Sequence, residues 1–195
     1  MAKIVKEHRG GFCYEMNGAF AALLRSLGFR VTLLSARVRR ADGSDGPEFD
    51  HLALRVDLDE VWLADVGFGE LFLEPLQLQT GLEQEQGERK FRIVAADQSL
   101  HLERTLSDAA WRREYSFTLQ PRELSEFAAM CHYHQTSPQS PFTHKRLCTM
   151  ATADGRLTLS DMKLIVTQGE GREERAIESE QQWRDVLRTR FGVWL

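Results

Sequence analysis

Between Met16 and Leu27 apolar residues recur at helical spacing, at Met16, Phe20, Leu23, Leu24 and Leu27, with Gly28 as a stop; this pattern predicts a helix that opens at Cys13. From Phe29 onward the period shortens. "FRVTLLSARVR", "HLALRVDL" and "EVWLADV" are short segments rich in β-branched and aromatic residues, and the first two are divided by the turn-rich "ADGSDGPEF", so they predict antiparallel strands. "KFRIVAA", "LHLERTL" and "WRREYSFTL" extend the series, and the polar link "GLEQEQGE" before them reads as a surface loop. "QPRELSEFAAMCHYH" returns to helical texture, with Pro121 suited to a first turn and Leu124, Phe127, Ala128 and Cys131 on one face. Four more strand-like runs, "KRLCTMAT", "RLTLSD", "KLIVTQ" and "ERAIE", lead to a last helix from Ser179 to Phe191. There Ser179 and Gln182 make a capping box, and Trp183, Val186, Leu187 and Phe191 form the apolar stripe. The order helix, strands, helix, strands, helix predicts an α+β fold around an antiparallel or barrel-like sheet.

Composition narrows the partners. With 195 residues, 42% of them hydrophobic, the chain can bury a real core. A formal net charge of −4 argues against nucleic acid or an anionic membrane as the general partner, since both reward clustered Lys and Arg. "MAKIVKEH" lacks the apolar core of a signal peptide and no run approaches a membrane span, which predicts a cytoplasmic chain. The three cysteines, Cys13, Cys131 and Cys148, make no CxxC pair. That fits a reducing compartment and argues against a disulfide framework or structural zinc, and the histidines near Cys131 and Cys148 (His132, His134, His144) match no zinc spacing, so no metal is expected.

"RGGFCYE" carries the first chemical signal. A thiol needs help to ionise at neutral pH, and Cys13 stands at a predicted helix start, after two glycines that let the backbone approach a ligand. The plain alternative is a small buried residue in a turn. A nucleophilic cysteine also needs a base, and the base an orienting acid. His51 opens the strand "HLALRV" and Asp65 ends "VWLAD", with a link of only a few residues between. In such a hairpin the start of the first strand and the end of the second lie side by side, so imidazole and carboxylate can meet. A carboxylate after an apolar run needs a partner, and His51 would supply it.

Together, "RGGFCYEMNGAF", "DHLALRV", "WLADVGFG" and "YHQTSPQSPFT" resemble the arylamine N-acetyltransferase family, the likeness running from about Lys3 to the C-terminus. The resemblance implies a fold related to the papain-like cysteine proteases: a nucleophile helix, an antiparallel β-barrel-like sheet and a C-terminal α/β lid. It places Cys13 as nucleophile, His51 as base and Asp65 as the residue orienting it. It also implies ping-pong transfer of an acetyl group from acetyl-CoA to an arylamine, hydrazine or N-hydroxyarylamine, with no tightly bound cofactor. Phe68 matches a residue lining the acceptor pocket, which Phe12 would also edge. Gly69 matches a glycine close to CoA; Tyr133, Thr136 and Ser137 lie in the segment that contacts the coenzyme. Arg9 and Glu15 match bracing residues of the first motif. The same Cys, His, Asp order would serve a thiol hydrolase or a transglutaminase, but "RGGFC" and "TSPQSPF" favour the acetyltransferase.

The family pattern has several dozen helical residues before the nucleophile, whereas Cys13 stands near the start of this sequence. The expectation is a shortened chain: residues 1–28 as the remnant of an N-terminal helical domain with the nucleophile helix, 29–120 as the barrel-like domain and 121–195 as the α/β lid region. Phe20, Leu23, Leu24 or Leu27 would then be partly uncovered and prone to self-association, and a truncated, inactive relic of the family is a second alternative.

Overall fold

The computed structural model describes residues 2–106, 110–169 and 171–194, which gather into two compact units: Phe12–Met130, and Met1–Gly11 with Cys131–Leu195. After a short turn of helix, α1 (Ala2–Val5), the first long element is α2 (Cys13–Ser26). Its N-terminus is braced as the first motif suggests, the Phe12 N–H donating to the Glu15 carboxylate at 3.2 Å. At its end Gly28 takes φ +92°, and the Phe29 N–H returns to the Leu24 carbonyl at 3.0 Å, the left-handed stop that glycine permits. Along α2, Tyr14, Asn17 and Ala21 are buried, Leu23 and Leu27 are 52% and 65% exposed, and Phe20 and Leu24 are half-buried.

Eight strands of the same unit form one antiparallel sheet: β1 (Arg30–Val38), β2 (His51–Asp57), β3 (Val61–Ala64), β4 (Leu76–Gln77), β5 (Glu83–Gln86), β6 (Arg89–Ala96), β7 (Ser99–Leu106) and β8 (Arg112–Phe117), in spatial order β4-β3-β2-β1-β8-β7-β6-β5. One face carries the core: Leu34, Ala53, Leu63, Leu76, Phe91, Ile93, Leu102, Tyr115 and Phe117. Alternation places them there, since every second residue of a strand shares a face.

The sheet curls until its two edges nearly meet, and this corrects the reading of "GLEQEQGE" as a loop. Thr80 bridges to Ile93, and the side chains of β5 complete the seam. Gln84 accepts from the Gln77 N–H (2.7 Å) and donates to the Gln77 carbonyl (3.1 Å); Gln86 accepts from the Leu73 and Glu74 N–H groups (2.8 and 3.1 Å) and donates to the Glu74 carbonyl (2.7 Å). Carboxamides thus replace a backbone ladder, so polar residues serve at positions where strand propensity predicts none.

A second correction concerns Pro121. The helix does not begin there, because the next residue's backbone is taken: the Arg122 N–H donates to the Leu33 carbonyl of β1 at 3.0 Å. A 3-10 turn over Leu124–Phe127 follows, capped by Glu126 on the Glu123 N–H at 2.6 Å, and only then α3 (Ala128–Thr136).

In the other unit, after a 3-10 turn at Pro141–Thr143, four strands form an antiparallel sheet in sequential order: β9 (Leu147–Thr152), β10 (Gly155–Ser160), β11 (Lys163–Gln168) and β12 (Gly171–Ala176). Against it packs α4 (Glu180–Phe191), with Trp183 and Leu187 joining Leu157, Leu159, Leu164 and Ile177 in the core, and Val186 and Phe191 at its margin. The expected N-cap forms, the Ser179 hydroxyl accepting from the Gln182 N–H at 3.1 Å, but the Gln182 side chain accepts from the Glu178 N–H at 2.7 Å and not from Ser179; at the other end Gly192 is left-handed at φ +68°. Among the described residues no helix is long and apolar enough to cross a membrane.

Candidate active site

Cys13 is the first residue of α2, so its sulfur sits at a helix N-terminus, where unsatisfied N–H groups favour negative charge. His51 is the first residue of β2. The β2–β3 pairing runs from Asp57 opposite Val61 at the turn to Leu54 opposite Ala64, and Asp65 follows directly, so the open end of the hairpin carries both side chains. Nε2 of His51 donates to Oδ2 of Asp65 at 2.6 Å, with the two side chains 3% and 0% exposed. With Nε2 committed, Nδ1 is the ring nitrogen left for Cys13, whose sulfur acts on the imidazole. The structure brings Cys13, His51 and Asp65 together.

A buried carboxylate survives as an anion only where donors replace water. Oδ1 of Asp65 receives three: Asn17 Nδ2 at 2.8 Å, the Gly67 N–H at 2.9 Å and the Phe68 N–H at 3.1 Å. Oδ2 receives His51 and, at 3.4 Å, the Tyr115 hydroxyl. Burial pushes the Asp65 carboxyl up, but the His51 charge and the donors named above outweigh it and hold the carboxyl below its ordinary value. Burial likewise pushes the His51 imidazole down, and the Asp65 carboxylate followed by the Cys13 sulfur push it up, to about 10. Burial and the Asp65 charge push Tyr115 well above its usual range and keep it a neutral donor. The arrangement stabilises a charged imidazolium between a carboxylate and a sulfur, which is the state a thiol nucleophile needs.

Rings enclose the imidazole. Phe68 meets His51 edge-on at 5.2 Å and Tyr115 lies 5.4 Å from it, tilted. Phe68 also packs on the sheet core, so the same ring joins the core to the site. The loop from Asp65 to Phe68 presses on α2 so closely that a Cβ at Gly67 would stand 2.6 Å from Cys13 Cα. Only glycine fits there.

A family model described as N-acetyltransferase matches residues 1–195. The chain belongs to the arylamine N-acetyltransferase family. It is 33% identical over 218 residues to the chicken (Gallus gallus) arylamine N-acetyltransferase, pineal gland isozyme NAT-3, covering 99% of this chain and 75% of the relative. The solved Mycobacterium marinum arylamine N-acetyltransferase in complex with CoA superposes with a TM-score of 0.89 at 29% identity, covering 98% of this chain and 73% of that one. The Bacillus cereus arylamine N-acetyltransferase described as having a unique Cys-His-Glu catalytic triad gives a TM-score of 0.90 at 25% identity, covering all of this chain and 78% of that one. As a member of the arylamine N-acetyltransferases the chain is an acyltransferase enzyme, and its fold is the α+β, papain-like one that the resemblance implies.

The remaining positions drawn from the arylamine N-acetyltransferase pattern are spread over both units. Phe12 is half-buried at the N-cap of α2, and Gly69 has φ +97° just after Phe68. Tyr133, Thr136 and Ser137 lie on and just after the last turn of α3, in the other unit. There the Ser137 N–H donates to the Tyr133 carbonyl at 2.9 Å, the Thr136 hydroxyl to the His132 carbonyl at 2.8 Å, and Ser137 Oγ accepts from the Gln139 N–H at 3.2 Å. His134 and His144 are engaged locally, His134 with the Ser140 hydroxyl at 3.2 Å and His144 with the Pro138 carbonyl. Sequence reasoning missed Asn17, Gly67 and Tyr115. Asn17 carried a readable signal, a polar residue one helical turn after Cys13 and hence on the same face, within the apolar run from Met16 to Leu24. Tyr115 carried none, since its strand gives no cue to pairing with β1 and β7.

Proposed function

We propose that the chain acetylates small aromatic amines, hydrazines or N-hydroxyarylamines at the expense of acetyl-CoA, by a ping-pong mechanism through an acetyl-Cys13 thioester. The observation that carries this reading is the buried 2.6 Å His51–Asp65 bond, with Cys13 at the N-terminus of α2, the helix that also holds Asp65 through Asn17. In the first half-reaction the Cys13 thiolate attacks the thioester carbonyl, the carbon–sulfur bond to CoA breaks, and the departing CoA thiolate takes the His51 proton. In the second, the acceptor nitrogen, or the hydroxyl oxygen of an N-hydroxyarylamine, attacks acetyl-Cys13, neutral His51 takes the proton it sheds, and the carbon–sulfur bond to Cys13 breaks, restoring thiolate and imidazolium. Asp65 stays ionised throughout and holds the imidazole in the required tautomer. Each tetrahedral oxyanion forms at the open N-terminus of α2, where backbone N–H groups favour it.

Phe68, in ring contact with His51, and Phe12, next to Cys13 in sequence, are our acceptor contacts; a flat aromatic acceptor suits such edges. For CoA we assign Gly69, which offers bare backbone, and Tyr133, Thr136 and Ser137, which offer a ring and two hydroxyls. The CoA complex of the M. marinum relative supports the donor, and the cysteine, histidine and carboxylate named for the B. cereus relative support the triad. Among the described residues Cys13, Cys131 and Cys148 form no disulfide, which fits our placing of the reaction in the reducing cytoplasm.

The test is intact-mass spectrometry of the folded chain after incubation with acetyl-CoA. One acetyl group on Cys13, absent in Cys13→Ala and discharged by an aromatic amine, is the expected result. No adduct sinks the proposal, and an acetyl-Cys13 discharged as fast by water as by amine would point to a hydrolase.

A further inference from the structure

Phe49, two residues before His51, has φ +65°, the left-handed region that a bulky side chain seldom enters. Something must hold it there, and the contacts are on both ends and on the ring. The Phe49 N–H donates to the Ser35 hydroxyl of β1 at 2.8 Å. Its carbonyl accepts from the Tyr14 hydroxyl at 2.8 Å, and the same hydroxyl reaches the Asp50 carbonyl at 3.0 Å. Its ring meets Phe127 edge-on at 5.1 Å and lies under the Arg122 guanidinium, 5.0 Å away. Arg122 in turn is tied to Glu48 and Glu126.

Tyr14 is the residue after Cys13, and Asn17, three positions on along the same helix, donates to the Leu52 carbonyl at 2.6 Å. The helix that carries the sulfur therefore grips the chain carrying the imidazole on both sides of His51: Tyr14 at residues 49 and 50, Asn17 at residue 52. We propose that Tyr14 is a positioning residue, whose hydroxyl locks the left-handed turn at Phe49 and so sets the position of His51 relative to Cys13. This rests on the reading of Cys13 and His51 given above. Asn17 also binds Asp65, so its removal would disturb everything at once; the Tyr14 hydroxyl bonds the Phe49 and Asp50 carbonyls, and Tyr14→Phe removes those bonds while keeping the ring that meets Phe127. A lone left-handed residue relaxes when its clamp goes, and the strand start moves with it. The His51–Asp65 bond, anchored from Asn17 and Gly67, stays, while the reach from His51 to Cys13 lengthens.

The test measures single-turnover acetylation of Cys13 by acetyl-CoA in Tyr14→Phe, which keeps the ring and removes the hydroxyl. The rate should fall about tenfold, with half-saturation by acetyl-CoA within a factor of two of wild type, and iodoacetamide labelling of Cys13 should require a pH about one unit higher. A purely structural hydroxyl would leave that labelling profile in place. Ser35→Ala, which loosens the same turn from the sheet side, should act in the same direction and carries the test if Tyr14→Phe folds poorly. Wild-type acetylation with unchanged rates and labelling profiles in both variants overturns the role of Tyr14. Absence of acetyl-Cys13 in wild type overturns the underlying reading instead.

Discussion

Asn17 Nδ2 stands 2.8 Å from Asp65 Oδ1, so one turn of helix after Cys13 the same element also holds the carboxylate. The amide is fully used: Nδ2 donates to the Leu52 carbonyl as well, and Oδ1 accepts from the Val66 N–H at 2.9 Å. Asn17→Ala strands the buried Leu52 carbonyl, frees the partly buried Val66 N–H and removes a donor from Asp65. Each such loss costs roughly 1–3 kcal/mol, so the unfolding free energy should fall by about 2–4 kcal/mol and Cys13 acetylation by at least tenfold. Asn17→Asp should be worse at neutral pH, because it sets a second carboxylate against the first. Urea unfolding and single-turnover mass spectrometry check both, and an Asn17→Ala variant with wild-type stability would refute the role of this amide.

The buried pair should leave its mark on stability against pH. His51 is raised from 6.5 to about 10, so its contribution is fully present below pH 6.5 and is lost as pH rises through about 10. Asp65 is lowered from 3.8, so its contribution is present above pH 3.8 and is lost as pH falls through its depressed value. The difference in unfolding free energy between wild type and Asp65→Asn should therefore be largest between about pH 4 and 6.5 and shrink towards pH 10. A difference that grows with alkalinity would contradict the ion pair.

Gly67 is the position where loop and helix nearly touch. A Cβ there would stand 2.6 Å from Cys13 Cα and 2.9 Å from Asn17 Nδ2, and the first of these is backbone that cannot swing aside. Gly67→Ala should push the Asp65–Phe68 loop away from α2, cost about 1–3 kcal/mol of stability and slow Cys13 acetylation by roughly a hundredfold. Acetylation at the wild-type rate would show that the loop yields without disturbing the site.

These three positions mark how far the sequence could be read. Cys13, His51 and Asp65 were legible because a helix start and a hairpin are local, and a hairpin with a short link has only one open end. The N-cap of α4 at Ser179 was legible for the same reason. Tyr14, Asn17 and Gly67 act across 35 to 54 residues of chain, through contacts that depend on how α2 lies on β2, which no periodicity reports. The late start of α3 depended on Arg122 pairing with Leu33, a bridge from a distant strand. Strand β5 was hidden because its four residues, all Glu or Gln, pair with β6 through the backbone and close the other edge through side chains, so neither apolar alternation nor propensity marked it.

That seam gives the last prediction. Exposed strand edges invite pairing with other chains, and here Gln84 blunts the edges of β4 and β5 by bonding both the N–H and the carbonyl of Gln77. A carboxamide can do this because it both accepts and donates; an ionised carboxylate only accepts. Gln84→Glu should keep the bond from the Gln77 N–H, set a negative charge against the Gln77 carbonyl, and lower stability by about 1–2 kcal/mol at pH 7. Near pH 4 the protonated acid regains a donor, so much of that loss should be recovered relative to wild type. Gln84→Ala has no proton to regain and should stay destabilised at both pH values, with light scattering on mild heating reporting the freed edges. A Gln84→Glu variant whose deficit is the same at pH 4 and pH 7 would mean that the carboxamide donor does not hold the seam.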